Sequence, residues 1–254
     1  PLYSSAASDV YKRQEEENSR TYKIKRVVRH ITNYWLNDVS FVILLIALIF
    51  TVFILPVLIE YGHINDVFVN SVFLFLFFAG IWSSDNRILI GLTSTLFLTQ
   101  LVLRLLRFSD IPVEFYLWER IVGLLNMVVF IFLNIRLLFR NHEISLYRVI
   151  GAVNVYLLLA ILGAFALEVI HISIGTSISG VTALVKGFEL RGLDSDYSTY
   201  IYFSLVSLTT VGFGDFTPVN VMSKMLAVML STIGILYPAV VIAKLVGSST
   251  QQKR

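Results

Sequence analysis

Two kinds of residue cluster in this chain could do chemistry, one through its backbone and one through its side chains. The first is Thr209-Thr210-Val211-Gly212-Phe213-Gly214-Asp215. Replacing the water around a dehydrated cation takes successive carbonyls aimed at one axis, and therefore backbone angles that alternate between ordinary and glycine-only values. Gly212 and Gly214 supply the second kind. Thr210, Val211, Gly212 and Phe213 then offer carbonyl rungs, with the Thr210 hydroxyl as innermost ligand and Asp215 at the outer mouth. The second kind of cluster is the pair Glu60-x-x-His63 and Glu168-x-x-His171. That spacing sets a carboxylate and an imidazole on one helix face, as a di-metal carboxylate enzyme requires. Gly62 interrupts the first pair and both lie at ends of apolar runs, so interfacial polar residues are the simpler reading. Sensing of external protons by His63 or His171 is a third, because an unperturbed imidazole titrates near neutrality.

A lone Gly-Phe-Gly would read as a turn. The context argues otherwise, for the 209–215 segment resembles the selectivity filter of potassium channels. Before it, Tyr202-Phe203-Ser204-Leu205-Val206-Ser207-Leu208 resembles the pore helix of the pore-loop family, most closely that of its two-pore-domain members. Ile242-Ala243-Lys244-Leu245-Val246-Gly247 is similar to the inner-helix end of bacterial channels of this kind. The resemblance implies passive, potassium-selective conduction through Thr210 to Gly214. Thr209, Tyr202, Phe203 and Val206 would support that segment. It implies neither a reaction catalysed nor a cofactor beyond the permeating ion. Thr93-Ser94-Thr95 and Gly175-Thr176-Ser177 lack T-x-G-x-G, so each chain carries one filter strand and closed symmetry calls for three further copies, a homotetramer. Phe213 stands where many filters carry tyrosine, and Tyr202 and Phe203 where voltage-gated relatives carry tryptophan, so the bracing of the filter differs. A weakly selective cation channel and, further off, a membrane metalloenzyme built on the Glu-x-x-His pairs are the alternatives.

What must position these residues is a membrane-spanning bundle. The chain has 254 residues, 56% hydrophobic and 15% charged, with a mean hydropathy of +0.77, which is too apolar for a soluble globule. It contains no cysteine, excluding disulfides, thiolate metal sites and cysteine nucleophiles. A bilayer core needs about 20 apolar residues per helix. Six runs qualify: 41–59, 67–84, 88–108, 117–139, 149–167 and 218–246. The uncharged 197–214 run is different, because its helical part, 198–209, reaches only about 18 Å at 1.5 Å per residue and so enters the membrane halfway. The expected fold is all-α, six transmembrane helices plus a re-entrant pore helix. Thr217 reads as the N-cap of the last span and Pro218 as its first turn. Gly234 and Pro238, one turn apart within it, mark a gate hinge or else ordinary close packing.

Charge gives the orientation. With both termini cytoplasmic in a plasma (inner) membrane, fourteen of the twenty Lys and Arg lie inside, as the positive-inside rule requires. The outer face then carries ten acids against six bases, a cation-concentrating vestibule. Arg104 and Arg107 read as snorkelling at the outer rim. Arg120, Arg136 and Arg140 sit at the edges of the fourth span with Asn126 and Asn134 between them, and so form no voltage-sensing ladder. Residues 1–14 are expected to be non-native, since Asp9-Val10-Tyr11-Lys12-Arg13-Gln14 resembles a translated DNA-library adapter. Residues 15–38 form a cytoplasmic tail with a basic amphipathic helix, whose Lys23, Lys25, Arg26 and Arg29 suit anionic lipid. A four-helix domain (39–140), a pore domain (147–247) and a short cytoplasmic tail (248–254) follow. The lipid bilayer is the expected partner besides further copies of the chain, and nucleic acid is not.

Overall fold

The computed structural model describes residues 41–62, 65–82, 87–107, 114–138, 146–180, 190 and 192–251, with some side chains at helix ends excepted. The expected basic amphipathic helix with Lys23, Lys25, Arg26 and Arg29, the residue His63, the N-terminal tail and residues 252–254 lie outside these residues, while 248–251, expected as tail, belong to the last helix.

Seven helices and two short strands make up the described chain. Helix α1, Phe41–Glu60, is strongly apolar up to its terminal Glu60 and widens into a π-turn at Phe50–Ile54. Pro56 accounts for the widening. It has no N–H to give, and the Leu55 N–H reaches back five residues to the Phe50 carbonyl. Helices α2 (Asp66–Trp82), α3 (Arg87–Arg107) and α4 (Glu114–Leu138) follow, and α5 runs over Leu146–Ile174. Strand β1 (Ile178–Gly180), a 3-10 turn (Asp194–Asp196), the short helix α6 (Tyr197–Leu208), strand β2 (Phe216–Pro218) and helix α7 (Val221–Gln251) complete the order. Among the described residues, four helices are long and apolar enough to cross a membrane: α1, α4 over Tyr116–Arg136, α5, and α7 over Val221–Lys244. Helices α2 and α3 carry the shorter apolar stretches Val67–Phe78 and Gly91–Leu106.

The packing is built around α5. Its Leu158, Ala160, Ile161, Ala164 and Leu167 are fully covered, because α4, α6, α7 and the π-turn of α1 all lie against it. Small residues set the spacing. Gly163 leaves so little room that a Cβ there would come within 2.2 Å of Ser204 Oγ and 2.8 Å of a Leu230 methyl. On the other side Phe73 of α2 meets Phe165 of α5 and Tyr197 of α6 edge-on, at 4.9 and 5.1 Å between ring centres. An aromatic cluster of this geometry adds about 0.5–1.5 kcal/mol per pair beyond the area it covers.

The last helix begins later than Thr217-Pro218 predicts. Residues 216–218 are extended and pair antiparallel with β1, Ile178 opposite Pro218 and Gly180 opposite Phe216. The cap is Asn220, whose Oδ1 accepts the Ser223 N–H at 2.8 Å. Ser177 reinforces the turn from across the sheet, its carbonyl accepting the Val219 N–H at 3.0 Å and the Ser223 hydroxyl at 2.6 Å. Two cap signals three residues apart compete in this stretch, and the strand partner from outside it decides between them.

Candidate functional site

The 209–215 segment hangs from the C-terminal end of α6. Uncharged, rich in Ser, Thr and aromatics, α6 is twelve residues long. It is seated on α5 by a hydrogen bond from Ser204 Oγ to the Ala160 carbonyl at 2.7 Å. The chain then turns back on itself. The Thr209 N–H binds the Leu205 carbonyl at 2.8 Å, Thr210 binds Ser207 at 3.1 Å, and the N–H groups of Val211 and Gly212 both approach the Val206 carbonyl, at 3.1 and 3.5 Å.

These bonds fix the direction of the carbonyls. In a trans peptide the C=O of one residue points opposite the N–H of the next. With the N–H groups of Thr210, Val211 and Gly212 turned toward α6, the carbonyls of Thr209, Thr210 and Val211 are turned away from it. The backbone hand supports the pattern, since φ is positive at every second residue: +60° at Thr210, +58° at Gly212 and +79° at Gly214. Nothing lies within 4 Å of where a Cβ would sit on either glycine. Conformation, not crowding, therefore demands glycine at both. Thr210 is β-branched and has no such freedom, and residues in this region cost about 1–2 kcal/mol each. The two N–H bonds on either side of it hold it there. All of Thr209 to Gly214 is exposed, with Phe213 at 70%.

Below and behind the segment the supports are polar. Tyr202 donates its hydroxyl to Asp215 Oδ2 at 2.5 Å and stacks edge-on against Phe216 at 5.9 Å. It thus ties α6 to the far end of the segment, a role the missing hydroxyl of Phe213 cannot fill. Val206 acts through its carbonyl, Phe203 through burial, and Thr209 bonds its own hydroxyl back to Leu205 at 2.7 Å. Helix α7 clamps the end of α6, with Ser231 Oγ donating to the Ser207 carbonyl at 2.9 Å. A Cβ on Gly234 would stand 1.7 Å from the Leu208 carbonyl oxygen. That carbonyl also receives the Tyr156 hydroxyl at 3.3 Å. Pro238 lies inside α7, which continues as one helix to Gln251. One residue earlier in α7, the Tyr237 hydroxyl donates across to the Ala152 carbonyl at 2.9 Å.

The structure corrects the reading of the arginines. Arg104 does not snorkel. It is 3% exposed, paired with Glu119 at 2.9 Å, and donates to the Asn70 carbonyl at 2.5 Å. Arg120 is equally buried and pairs with Glu168 at 3.1 Å and with Asp194. Glu168 therefore is neither interfacial nor half of a Glu-x-x-His unit. Its carboxylate takes the Tyr116 hydroxyl at 2.9 Å, whereas His171 Nδ1 stands 3.5 Å from Ser177 Oγ. Among the described residues no three His, Cys, Asp or Glu gather to hold a metal ion. These ion pairs join residues as much as 74 positions apart. The clue in the sequence was that Arg104, Glu119, Arg120 and Glu168 stand in mostly apolar helices, where a charge calls for a partner, and Asp194 in the turn before α6.

No curated protein and no solved structure matches the chain. A family model described as "Ion channel" matches residues 169–248, a stretch that spans the end of α5, all of α6, the 209–215 segment and most of α7. Residues 169–248 are thus similar to an ion-channel domain, and with the apolar helices the match supports an ion channel in a membrane.

Proposed function

We propose that the chain is one subunit of a potassium-selective channel, conducting K+ passively through Thr210, Val211, Gly212, Phe213 and Gly214. The observation that carries this reading is the alternating backbone hand at Thr210, Gly212 and Gly214, with the intervening N–H groups drawn back onto α6. Carbonyls aimed away from one helix end can replace a cation's hydration shell, and the negative end of that helix's dipole favours the ion nearby. One strand gives one wall. Four copies close the cage as a homotetramer, and the broad uncovered face of α7, with Met222, Met225, Val228 and Ile235 exposed, is where copies and the conduction path would lie. The tetramer sits in the plasma membrane with both termini cytoplasmic. Asp215 faces outward, and Lys23, Lys25, Arg26 and Arg29 rest on anionic lipid.

The test is flux from purified protein in liposomes. Potassium uptake that barium blocks and that Gly212→Asp abolishes supports the proposal; liposomes no leakier than empty ones refute it. Phe213, exposed and without the hydroxyl that would tie it back, is the feature that favours a weakly selective cation pore instead. A reversal potential near zero in opposed potassium and sodium solutions would establish that second reading.

A further inference from the structure

Burying charge in a membrane protein is costly unless each charge finds a partner, yet this chain buries five charged side chains at one place. Arg104, Glu119, Arg120, Glu168 and Asp194 are each no more than 4% exposed. They come from α3, α4, α5 and the turn that leads into α6. Arg120 is at the centre, its guanidinium 4.8 Å above the Tyr116 ring, paired with Glu168 of α5 at 3.1 Å and with Asp194. Asp194 is held a second time by Asn70 Nδ2 of α2 at 3.0 Å. Asn70 in turn accepts from Arg104 through its backbone carbonyl.

Asp194 matters because of where it stands. Its carbonyl accepts the Tyr197 N–H, the first of α6, so fixing this one side chain fixes the start of that helix. A second tether reaches the same turn. The π-turn of α1 leaves the Thr51 carbonyl without a helical donor, since the Leu55 N–H is engaged by Phe50 and Pro56 has none. The Tyr197 hydroxyl takes that carbonyl at 3.2 Å. Ser198 Oγ adds a third contact, to Glu60 Oε2 at 3.2 Å. All the helices from α1 to α4 thus converge, directly or through one neighbour, on the first residues of α6.

Resting on the channel reading above, we propose that the helices preceding the pore act on the conducting segment through the start of α6. Arg120 is the positioning residue that holds Asp194, and the π-turn carbonyl is the second hold. The lever is short and stiff. Helix α6 is anchored in the middle where Ser204 meets Ala160, about 10 Å from Tyr197 and about 6 Å from Leu208 at 1.5 Å per residue. A shift of about 1 Å at the start therefore becomes about 0.6 Å at the end. There the carbonyls of Val206 and Ser207 hold Thr210, Val211 and Gly212. A change in the packing of α1 to α4 is in this way delivered to the ion path without passing through α7.

Single-channel recording in bilayers tests the proposal, using the full chain and two mild variants. Tyr197→Phe removes one hydroxyl and nothing else. Arg120→Lys keeps the charge but loses the planar fork that spans Glu168 and Asp194. Thr95→Val, which removes an exposed hydroxyl bonded within α3, is the control. The expected result is a change of threefold or more in mean open time for both variants, a changed ratio of potassium to sodium permeability for at least one, and wild-type kinetics for the control. Melting temperature and assembly size of each protein are measured alongside, so that an altered open time in a protein of unaltered stability marks positioning and not partial unfolding. If Arg120→Lys fails to assemble, Tyr197→Phe decides. A conducting wild type with unchanged open times in the assembled variants, or an equal change in the control, overturns the proposal alone. A wild type that passes no ions overturns the channel reading and the proposal with it.

Discussion

Replacing Gly234 by alanine asks the most of the structure. The new methyl carbon would lie 1.7 Å from the Leu208 carbonyl oxygen and 2.7 Å from its carbon. To reach ordinary van der Waals contact, helix and carbonyl must part by about 1.7 Å. Overpacking against side chains that can swing aside costs about 1–3 kcal/mol. Here the obstacle is backbone, already held by the Tyr156 hydroxyl, so about 3 kcal/mol is expected. For a chain of this size that is a fall in melting temperature of roughly 6–12 °C. The displaced group is the last carbonyl of α6, directly before the conducting segment, so potassium flux should fall with stability. Gly91→Ala is the matched comparison, since nothing lies within 4 Å of its added methyl and alanine in a helix interior is favoured by roughly 0.5–1 kcal/mol. Thermal unfolding in detergent and flux in liposomes, measured on both variants, decide the matter. A Gly234→Ala protein that melts with the wild type would refute the packing argument. If it also opened and closed differently, Gly234 and Pro238 would be acting as a hinge.

Two further outcomes are expected. Tyr202→Phe deletes a hydrogen bond to a carboxylate at a partly exposed position, costing about 1 kcal/mol, and should shorten the time for which conduction is sustained under a steady potassium gradient; an unchanged time course would show that Asp215 needs no tie to α6. Asn220→Ala removes the cap of α7 and should lower stability by about 1 kcal/mol, whereas Thr217→Val should be nearly neutral; the reverse order in melting temperature would restore Thr217 as the cap.

The backbone of the 209–215 segment was legible in the sequence because its information is local. Glycine at 212 and 214 is a statement about φ, and the positive values found there follow from it. The short helix was legible too, since the uncharged run at 198–209 is too short to cross a membrane and the helix found covers Tyr197–Leu208. The ionic cluster was not. Arg104 was assigned to the head groups and Arg120 to the edge of its span from their places near helix ends, a rule that considers one helix at a time. Their true partners, Glu119, Glu168 and Asp194, become visible only when the helices are packed together. The start of α7 was misplaced for the same reason, because Thr217-Pro218 is a sound local cap signal and β1, 38 residues earlier along the chain, overrides it. Nor does any sequence pattern announce the link from the π-turn to Tyr197, which depends on a carbonyl that only the wound helix leaves over.

The exposure of Thr209 to Gly214 has a consequence for how such a protein is made. Irregular backbone turned toward hydrocarbon costs several kcal/mol for each unsatisfied group and is tolerated only against protein or water. A newly inserted single chain carries its carbonyl-bearing segment on an open flank, with no neighbour to shelter it. If copies assemble as proposed, a single chain in the bilayer is a strained species until they meet, and insertion and assembly become linked steps. On the channel reading, the same carbonyls proposed to suit an ion would be, until assembly, a mark of incompleteness.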